Sequence, residues 1–434
     1  MKILITNGRI VDPATGRDET GDVAIASGRI VKLGRIERSF EADRTIDATG
    51  LVVAPGLFDL AARLREPGHE HEGMLESEMA AAVAGGVTSL CCLPDTDPVL
   101  DEPGLVEMLK FRARNLNLAR LYPIGALTCG LAGERLTEMA QLTEAGCVAF
   151  SQADVAIKDT LVLHRALQYA ATFGYAVWLR PNDAWLGGGV AAKGPLATRL
   201  GLTGVPAIAE TIALATIFEL VRDTGARVHL CRLSSAAGIE LLRAAKAEGL
   251  PVTADVSVNQ LHLIDQDIGY FNAAMRLTPP LRQQRDRDAI RAALADATID
   301  ALVSDHTPVD ADAKHLPFAE AEPGATGLEL LLSLALKWGD AAGLPLARTL
   351  ATVTSAPVGV VAQALGSLAD SAGRLVEGGV ADLCLFDPAA LWTVRPEAFV
   401  SQGRHSPFAG IELPGRVRYT LVAGGVAFEA AAAL

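Results

Sequence analysis

The chain has 434 residues, half of them hydrophobic and 21% charged, too many for one small core and suited to one large domain with a smaller satellite. A net charge of −13 argues against nucleic acid or an anionic membrane as partner, and no apolar run reaches the length of a membrane span. Six cysteines without a C-x-x-C pair, and a start without signal-peptide character, make the reducing cytoplasm the expected compartment.

Residues 1–52 read as short β runs (Ile3–Ile5, Arg9–Val11, Val23–Ile25, Arg29–Leu33, Thr45–Asp47) broken by turn pairs such as Asn7-Gly8, Asp12-Pro13 and Ser27-Gly28. The C-terminal stretch 366–434 has the same texture, with candidate strands at Ala381–Asp387, Val417–Val422 and Val426–Phe428. Neither end holds enough strands for a packed fold, so the expectation is one small β-sandwich built from both. Between them, over 53–365, apolar runs alternate with helical stretches rich in Ala, Leu and Glu, as in Ala207–Val221. The runs Val87–Leu93, Cys147–Phe150, Ala176–Leu179, Arg227–Leu230, Val252–Asp255 and Ala301–Ser304 are apolar on both faces, as a covered parallel sheet requires. The expected fold class is α/β, a (β/α)8 barrel with the terminal β-sandwich beside it.

Chemistry in such barrels sits at the C-terminal ends of the strands. Five segments stand at the ends of candidate strands in order. They are Asp59-Leu60-Ala61-Ala62-Arg63-Leu64-Arg65-Glu66-Pro67-Gly68, Leu93-Pro94-Asp95-Thr96-Asp97-Pro98, Phe150-Ser151-Gln152-Ala153-Asp154, His229-Leu230-Cys231-Arg232-Leu233-Ser234 and Ser304-Asp305-His306-Thr307-Pro308. With Thr278-Pro279-Pro280-Leu281-Arg282, and over nearly the whole length, the chain resembles the dihydroorotases of the cyclic-amidohydrolase family.

The resemblance implies a hydrolytic water activated by one or two divalent metals. The ligands would be two histidines after strand one, a carboxylate after strand four and histidines after strands five and six, with an aspartate after strand eight as proton acceptor. Here those positions read Ala61 and Arg63, Gln152 and Ala153, Arg180, Arg232 and Asp305. Only Asp305 keeps its expected chemistry. A methyl group donates nothing to a metal and a guanidinium is cationic at any relevant pH, so no metal and no zinc cofactor are expected. Arg65 matches the family's carboxylate-binding arginine, whereas Asp95 stands where a neutral amide would be. Arg63, Arg180 and Arg232 converge on a place built for a dication. They call for ion pairs with Asp305, Asp154 or Asp183, for a bound anion, or for solvation at the barrel mouth.

The remaining candidates read more blandly. His69-Glu70-His71 looks like a solvated loop, His229 and His262 like satisfied core histidines, and Cys91, Cys92 and Cys231 like buried small hydrophobes. Lys158 lies beyond the strand-four turn, out of place for a carbamylated metal bridge.

A subgroup of the resembled family lacks the ligands. The resemblance therefore implies a catalytically inactive dihydroorotase-like subunit that supports assembly or activity of aspartate carbamoyltransferase in pyrimidine biosynthesis, in a dodecamer of six subunits of each kind, with homodimer contacts. The alternative is an active cyclic amidohydrolase with an atypical site, in which Asp305 serves as base. A binding module that holds a small anion in the arginine-rich mouth, with regulation as its purpose, is a third reading.

Overall fold

The computed structural model describes residues 1–37 and 40–431. Both termini enter one mixed sheet. The N-terminal part contributes β1 (Lys2–Asp12), β2 (Arg17–Ala26), β3 (Arg29–Gly34), β4 (Arg44–Asp47) and β5 (Val52–Pro55). The two runs expected at Ile3–Ile5 and Arg9–Val11 are one strand, its register shifted between Ile5 and Gly8.

The barrel strands follow as β6 (Leu57–Ala62), β7 (Val87–Cys92), β8 (Arg120–Ala126), β9 (Ala149–Ser151) and β10 (Ala176–Leu179). A two-residue pair, β11 (Ala191–Ala192) and β12 (Gly204–Val205), lies outside the barrel. The barrel resumes with β13 (Arg227–Leu230), β14 (Val252–Ser257) and β15 (Ala301–Val303). The chain returns to the terminal sheet as β16 (Leu383–Thr393), β17 (Glu412–Val422) and β18 (Gly425–Glu429).

The barrel is parallel, in the order β15-β14-β13-β10-β9-β8-β7-β6, and closes through the Ala62–His306 bridge and the Arg63 N–H to His306 O bond of 2.8 Å. β6 and β7 are buried at every residue, because helices cover them outside and neighbouring strands fill the inside. Phe58, Leu60, Cys91, Ile124, Trp178 and Val303 form the inner core, against which Val358 and Val361 of the helix Ser355–Val361 also pack.

The terminal sheet runs β18-β17-β16-β5-β1-β2-β3, with β4 added on β1, and encloses its own core of Ile3, Ile5, Ile10, Ile25, Leu383 and Leu421. β16 pairs antiparallel with β5, joining the two ends of the chain into the β-sandwich domain. The candidate strands from Val87 to Ala301 all appear, within a few residues of their expected bounds. β8 was not among them, because Pro123 and Gly125 interrupt its apolar run. None of the described helices is long and apolar enough to cross a membrane.

Candidate functional site

The C-terminal ends of β6, β7, β9, β13 and β15 converge on a cavity of about 170 Å³ whose walls include Arg63, Arg65, Asp95, Asp154, Arg232 and Asp305. Backbone geometry aims several of these side chains inward. Arg65, Ala153, Arg232 and Asp305 all have φ between 50° and 64°, which strains a residue with a Cβ. Buried polar groups hold that geometry. Asp255 Oδ1 accepts the Arg232 N–H at 2.6 Å, and Asp59 Oδ1 accepts the Ser304 N–H at 3.0 Å, one residue before Asp305.

Asp154 is the hub. Its Oδ2 lies 2.8 Å from Arg63 Nη2, and its Oδ1 lies 2.6 Å from Arg180 Nε and accepts from Arg232 Nη2. The Arg180 Nε contact is close but poorly aligned for a hydrogen bond, and Arg180 Nη2 donates instead to the Asp154 carbonyl at 3.1 Å. Arg63 Nε donates to Asp95 Oδ2 at 2.8 Å and Nη1 to Thr307 Oγ1 at 3.1 Å. Arg232 Nη1 donates to Asp305 Oδ1 at 3.1 Å and to the Thr278 carbonyl at 3.2 Å. Arg63 and Arg232 are 6% and 3% exposed, so these contacts stand in place of water.

The electrostatics follow from that packing. Burial would raise the Asp154 carboxyl, but Arg232, Arg63 and Arg180 overcome it and hold the group well below the usual carboxylate range. Although 31% of its side chain borders the cavity, three guanidinium groups enclose the rest. Burial raises the Asp305 carboxyl, and Arg232 and Arg63 offset this only in part. Burial lowers Arg180, incompletely compensated by Asp154, whereas the carboxylates overcome burial at Arg232 and raise it.

Arg65 is also committed within the chain. Its Nε donates to the Pro308 carbonyl at 2.7 Å and lies 2.6 Å from Glu72 Oε2, while Nη2 is 3.7 Å from Glu322. Glu72 and Glu322 escaped the sequence reading because they reach Arg65 from separate loops. Glu66 caps the helix Leu75–Ala84 by accepting the Leu75 N–H at 3.0 Å, and it also pairs with Arg112. Gly68 (φ 97°) completes the motif, since a Cβ there would sit 2.1 Å from the Asp97 carbonyl oxygen.

Other candidates lie outside the hub. Asp183 is not part of it, because its Oδ1 accepts the Trp185 and Leu186 N–H groups. Asp95, which stands where a neutral amide would be, is an arm of the network through Arg63. Gln152, deep under the mouth, exchanges hydrogen bonds with Thr128 and the Leu131 carbonyl, and Ala61 is buried without polar contact of its side chain. His306 accepts the Gly327 N–H on Nδ1 (3.2 Å) and so carries its proton on Nε2, 2.8 Å from Glu78. His262 contacts the Leu334 carbonyl at 2.9 Å and burial pushes it down to about 4. His69 and His71 lie 6.2 Å apart in a loop. Lys158 packs over the Trp185 ring, 5.3 Å from its centroid, away from the mouth.

The side chains at the mouth do not fit a divalent cation. Three guanidinium groups occupy its centre, and the methyl groups of Ala61 and Ala153 stand where donors would be. Among the described residues, one cluster of three candidate donors exists, His229, Cys231 and Asp255, all buried. There His229 already bonds Thr253 at 2.8 Å and Asp255 at 2.9 Å, as expected of a satisfied core histidine.

A parallel eight-stranded barrel with its polar centre at the strand ends and a two-ended β-sandwich is the architecture of an amidohydrolase. L-hydantoinase (dihydropyrimidinase) from Arthrobacter aurescens superposes with a TM-score of 0.87 at 24% identity, over 100% of this chain and 97% of that one. The family described as dihydro-orotase-like matches residues 50–237. A "dihydroorotase-like protein" of Pseudomonas aeruginosa is 47% identical over 99% of this chain and 100% of its own, and one of Pseudomonas putida is 46% identical over 98% and 99%. A protein of Trichlorobacter lovleyi named dihydroorotase is 37% identical over 99% and 100%. The chain belongs to the dihydroorotase-like family.

Proposed function

We propose that this chain is a catalytically silent dihydroorotase-like subunit of the cytoplasm, which supports the assembly or activity of aspartate carbamoyltransferase in a complex of six subunits of each kind. The observation that carries the silent half is the Asp154 hub. Arg63, Arg180 and Arg232 fill the mouth with guanidinium groups and are paired with Asp95, Asp154 and Asp305. Water activation needs a metal or a free base. Asp305, the one base in position, is held by Arg232 at 3.1 Å. Counting Arg65 with Glu72 and Glu322, four cations face five carboxylates, which favours self-neutralisation over storage of an anion.

The assembly half rests on the intact fold and on the subgroup that the sequence resembles, since a fold alone defines no activity. The test is light scattering of aspartate carbamoyltransferase from the same organism, alone and mixed with this chain, with carbamoyltransferase assayed on each fraction. The expected result is a single heavier species that retains or gains activity. Two independent peaks with unchanged activity would remove the assembly role. Stoichiometric zinc together with dihydroorotate hydrolysis would return the chain to the active enzymes, the reading favoured by the relatives named dihydroorotase.

A further inference from the structure

The cavity at the barrel mouth presents carboxylates, although arginines surround it. The side chains of Arg63, Arg65 and Arg232 are 9% exposed or less, whereas those of Asp95, Asp154 and Glu322, which line the same cavity, are 26%, 31% and 39% exposed. The guanidinium groups lie behind, with their donors committed. Arg63 donates through Nε to Asp95, through Nη1 to Thr307 and through Nη2 to Asp154. Arg232 donates through its terminal nitrogens to Thr278, Asp305 and Asp154. Arg65 Nη2, the least committed of them, already faces Glu322 at 3.7 Å.

Acceptors remain open on the cavity side. Asp95 meets Arg63 through Oδ2, and among the described residues its Oδ1 has no hydrogen-bond partner. Glu322 approaches Arg65 through Oε1 only, which leaves Oε2 free. Asn259 points the same way independently. It stands in the first turn of the short helix Val258–His262 after β14, is 2% exposed and lines the cavity. Its backbone N–H is held by the Ser257 hydroxyl at 3.1 Å, but among the described residues its side-chain amide makes no hydrogen bond. Buried amides are normally paired, so an unpaired one facing a cavity marks the place of a ligand.

We propose that the mouth binds a small primary alkylammonium ion, its charged group among the open oxygens of Asp95, Glu322 and Asn259 and its chain along Leu277, Pro323 and Ala325. Charge favours a monocation. Asp95, Asp154, Asp305, Glu72 and Glu322 face Arg63, Arg65, Arg180 and Arg232, so one negative charge is left over. A dication would meet the same arginines with twice the repulsion. An ammonium group carries three donors and no acceptor, which suits a wall whose own donors are taken. Size agrees as well. One water needs about 10–15 Å³, so a cavity of about 170 Å³ takes several heavy atoms, and Leu277, Pro323 and Ala325 give it an apolar side. This inference rests on the mouth alone and is independent of the carbamoyltransferase role.

The test is calorimetric titration of the full chain, at neutral pH and fixed ionic strength, with n-butylammonium, 1-butanol and butyrate, probes of like chain and different charge. Butylammonium should bind once per chain, and the alcohol and the carboxylate at least about tenfold more weakly. Asn259→Leu and Glu322→Gln should each weaken butylammonium by about tenfold. Glu320→Gln, an exposed position of the same loop as Glu322 outside the cavity wall, should leave it unchanged. Circular dichroism verifies the fold of each variant, and Glu322→Gln, at the rim, keeps the test decisive if Asn259→Leu does not fold. Equal binding of butanol would reduce the site to an apolar hole, and tighter binding of butyrate would make it an anion site. Butylammonium binding indifferent to both Asn259→Leu and Glu322→Gln would lie elsewhere on the acidic surface. Any of these results, or no binding of any probe, would overturn the inference. Failure of the chain to join carbamoyltransferase would count only against the proposed function.

Discussion

The centre of the barrel mouth and the polar collar around and beneath it contrast sharply. In the centre, Ala61, Arg63, Ala153, Arg180 and Arg232 replace the donors that the resembled family would place there, and the new side chains neutralise one another around Asp154. In the collar, Asp59 holds Ser304, Asp255 holds the Arg232 backbone, and Glu78 binds His306, the Ser401 hydroxyl and the Gln402 N–H; the three carboxylates are fully or nearly fully buried. The collar sets the backbone and the centre sets the chemistry. Strained conformations at Arg232 and Asp305 persist because their supports do not depend on which side chain emerges into the mouth.

The most severe way to break this arrangement is Asp154→Ala, which leaves Arg180 without a carboxylate and takes one of two carboxylates from each of the buried Arg63 and Arg232. Removing one member of a buried ion pair costs about 3–5 kcal/mol, and the cavity-facing edge of Asp154 sets the expectation at the lower end. Chemical denaturation measures it, and a loss under about 1 kcal/mol would mean the centre contributes no cohesion. Glu78→Ala attacks the collar and should cost about 2–3 kcal/mol through the unpaired His306 and Ser401. It should also expose the segment around Gln402 to limited proteolysis while leaving the mouth ion pairs intact.

Acid and base separate the two regions further. The Asp154 carboxyl lies below its unfolded value, so its contribution is complete above the ordinary carboxylate range and is lost only as pH falls through its depressed folded value. Asp59 behaves oppositely. Burial, against the Ser304 hydrogen bonds, pushes it up to about 6, so its stabilisation is full below the unfolded value and is lost as pH rises to about 6. Thermal midpoints should therefore fall across that interval, and Asp59→Asn should flatten the slope. The smallest expected effect is that of restoring the first two histidines, Ala61→His with Arg63→His. With Arg180 and Arg232 still present, elemental analysis should find no stoichiometric zinc. A bound metal would show that the centre tolerates its old occupant.

Much of this was legible in the sequence because burial writes itself as apolar runs: β10 and β13 have the bounds that their runs predict. β8 was hidden by Pro123 and Gly125, tolerated by tertiary packing that no local pattern encodes. The convergence of Arg63, Arg180 and Arg232 followed from their places at strand ends. Their shared dependence on Asp154 rather than Asp183 did not, because both carboxylates follow barrel strands. The Asp-Ala-Trp-Leu turn that occupies Asp183 is a local signal that could have excluded it. Glu72 and Glu322 are 250 residues apart, and only the folded loops bring both to Arg65.

The pairing of β5 with β16 has a consequence for how the molecule is made. β5 ends at Pro55 and its neighbour begins at Leu383, so roughly 330 residues emerge from the ribosome between them. At ~5–20 residues per second that is about 15–65 s of synthesis during which the open edge of β5 has no mate. The nascent chain must either shelter that edge or risk its capture by a stray strand from another chain. Translation speed and chaperone supply therefore bear on yield more heavily here than in a barrel whose satellite sheet is made in one piece.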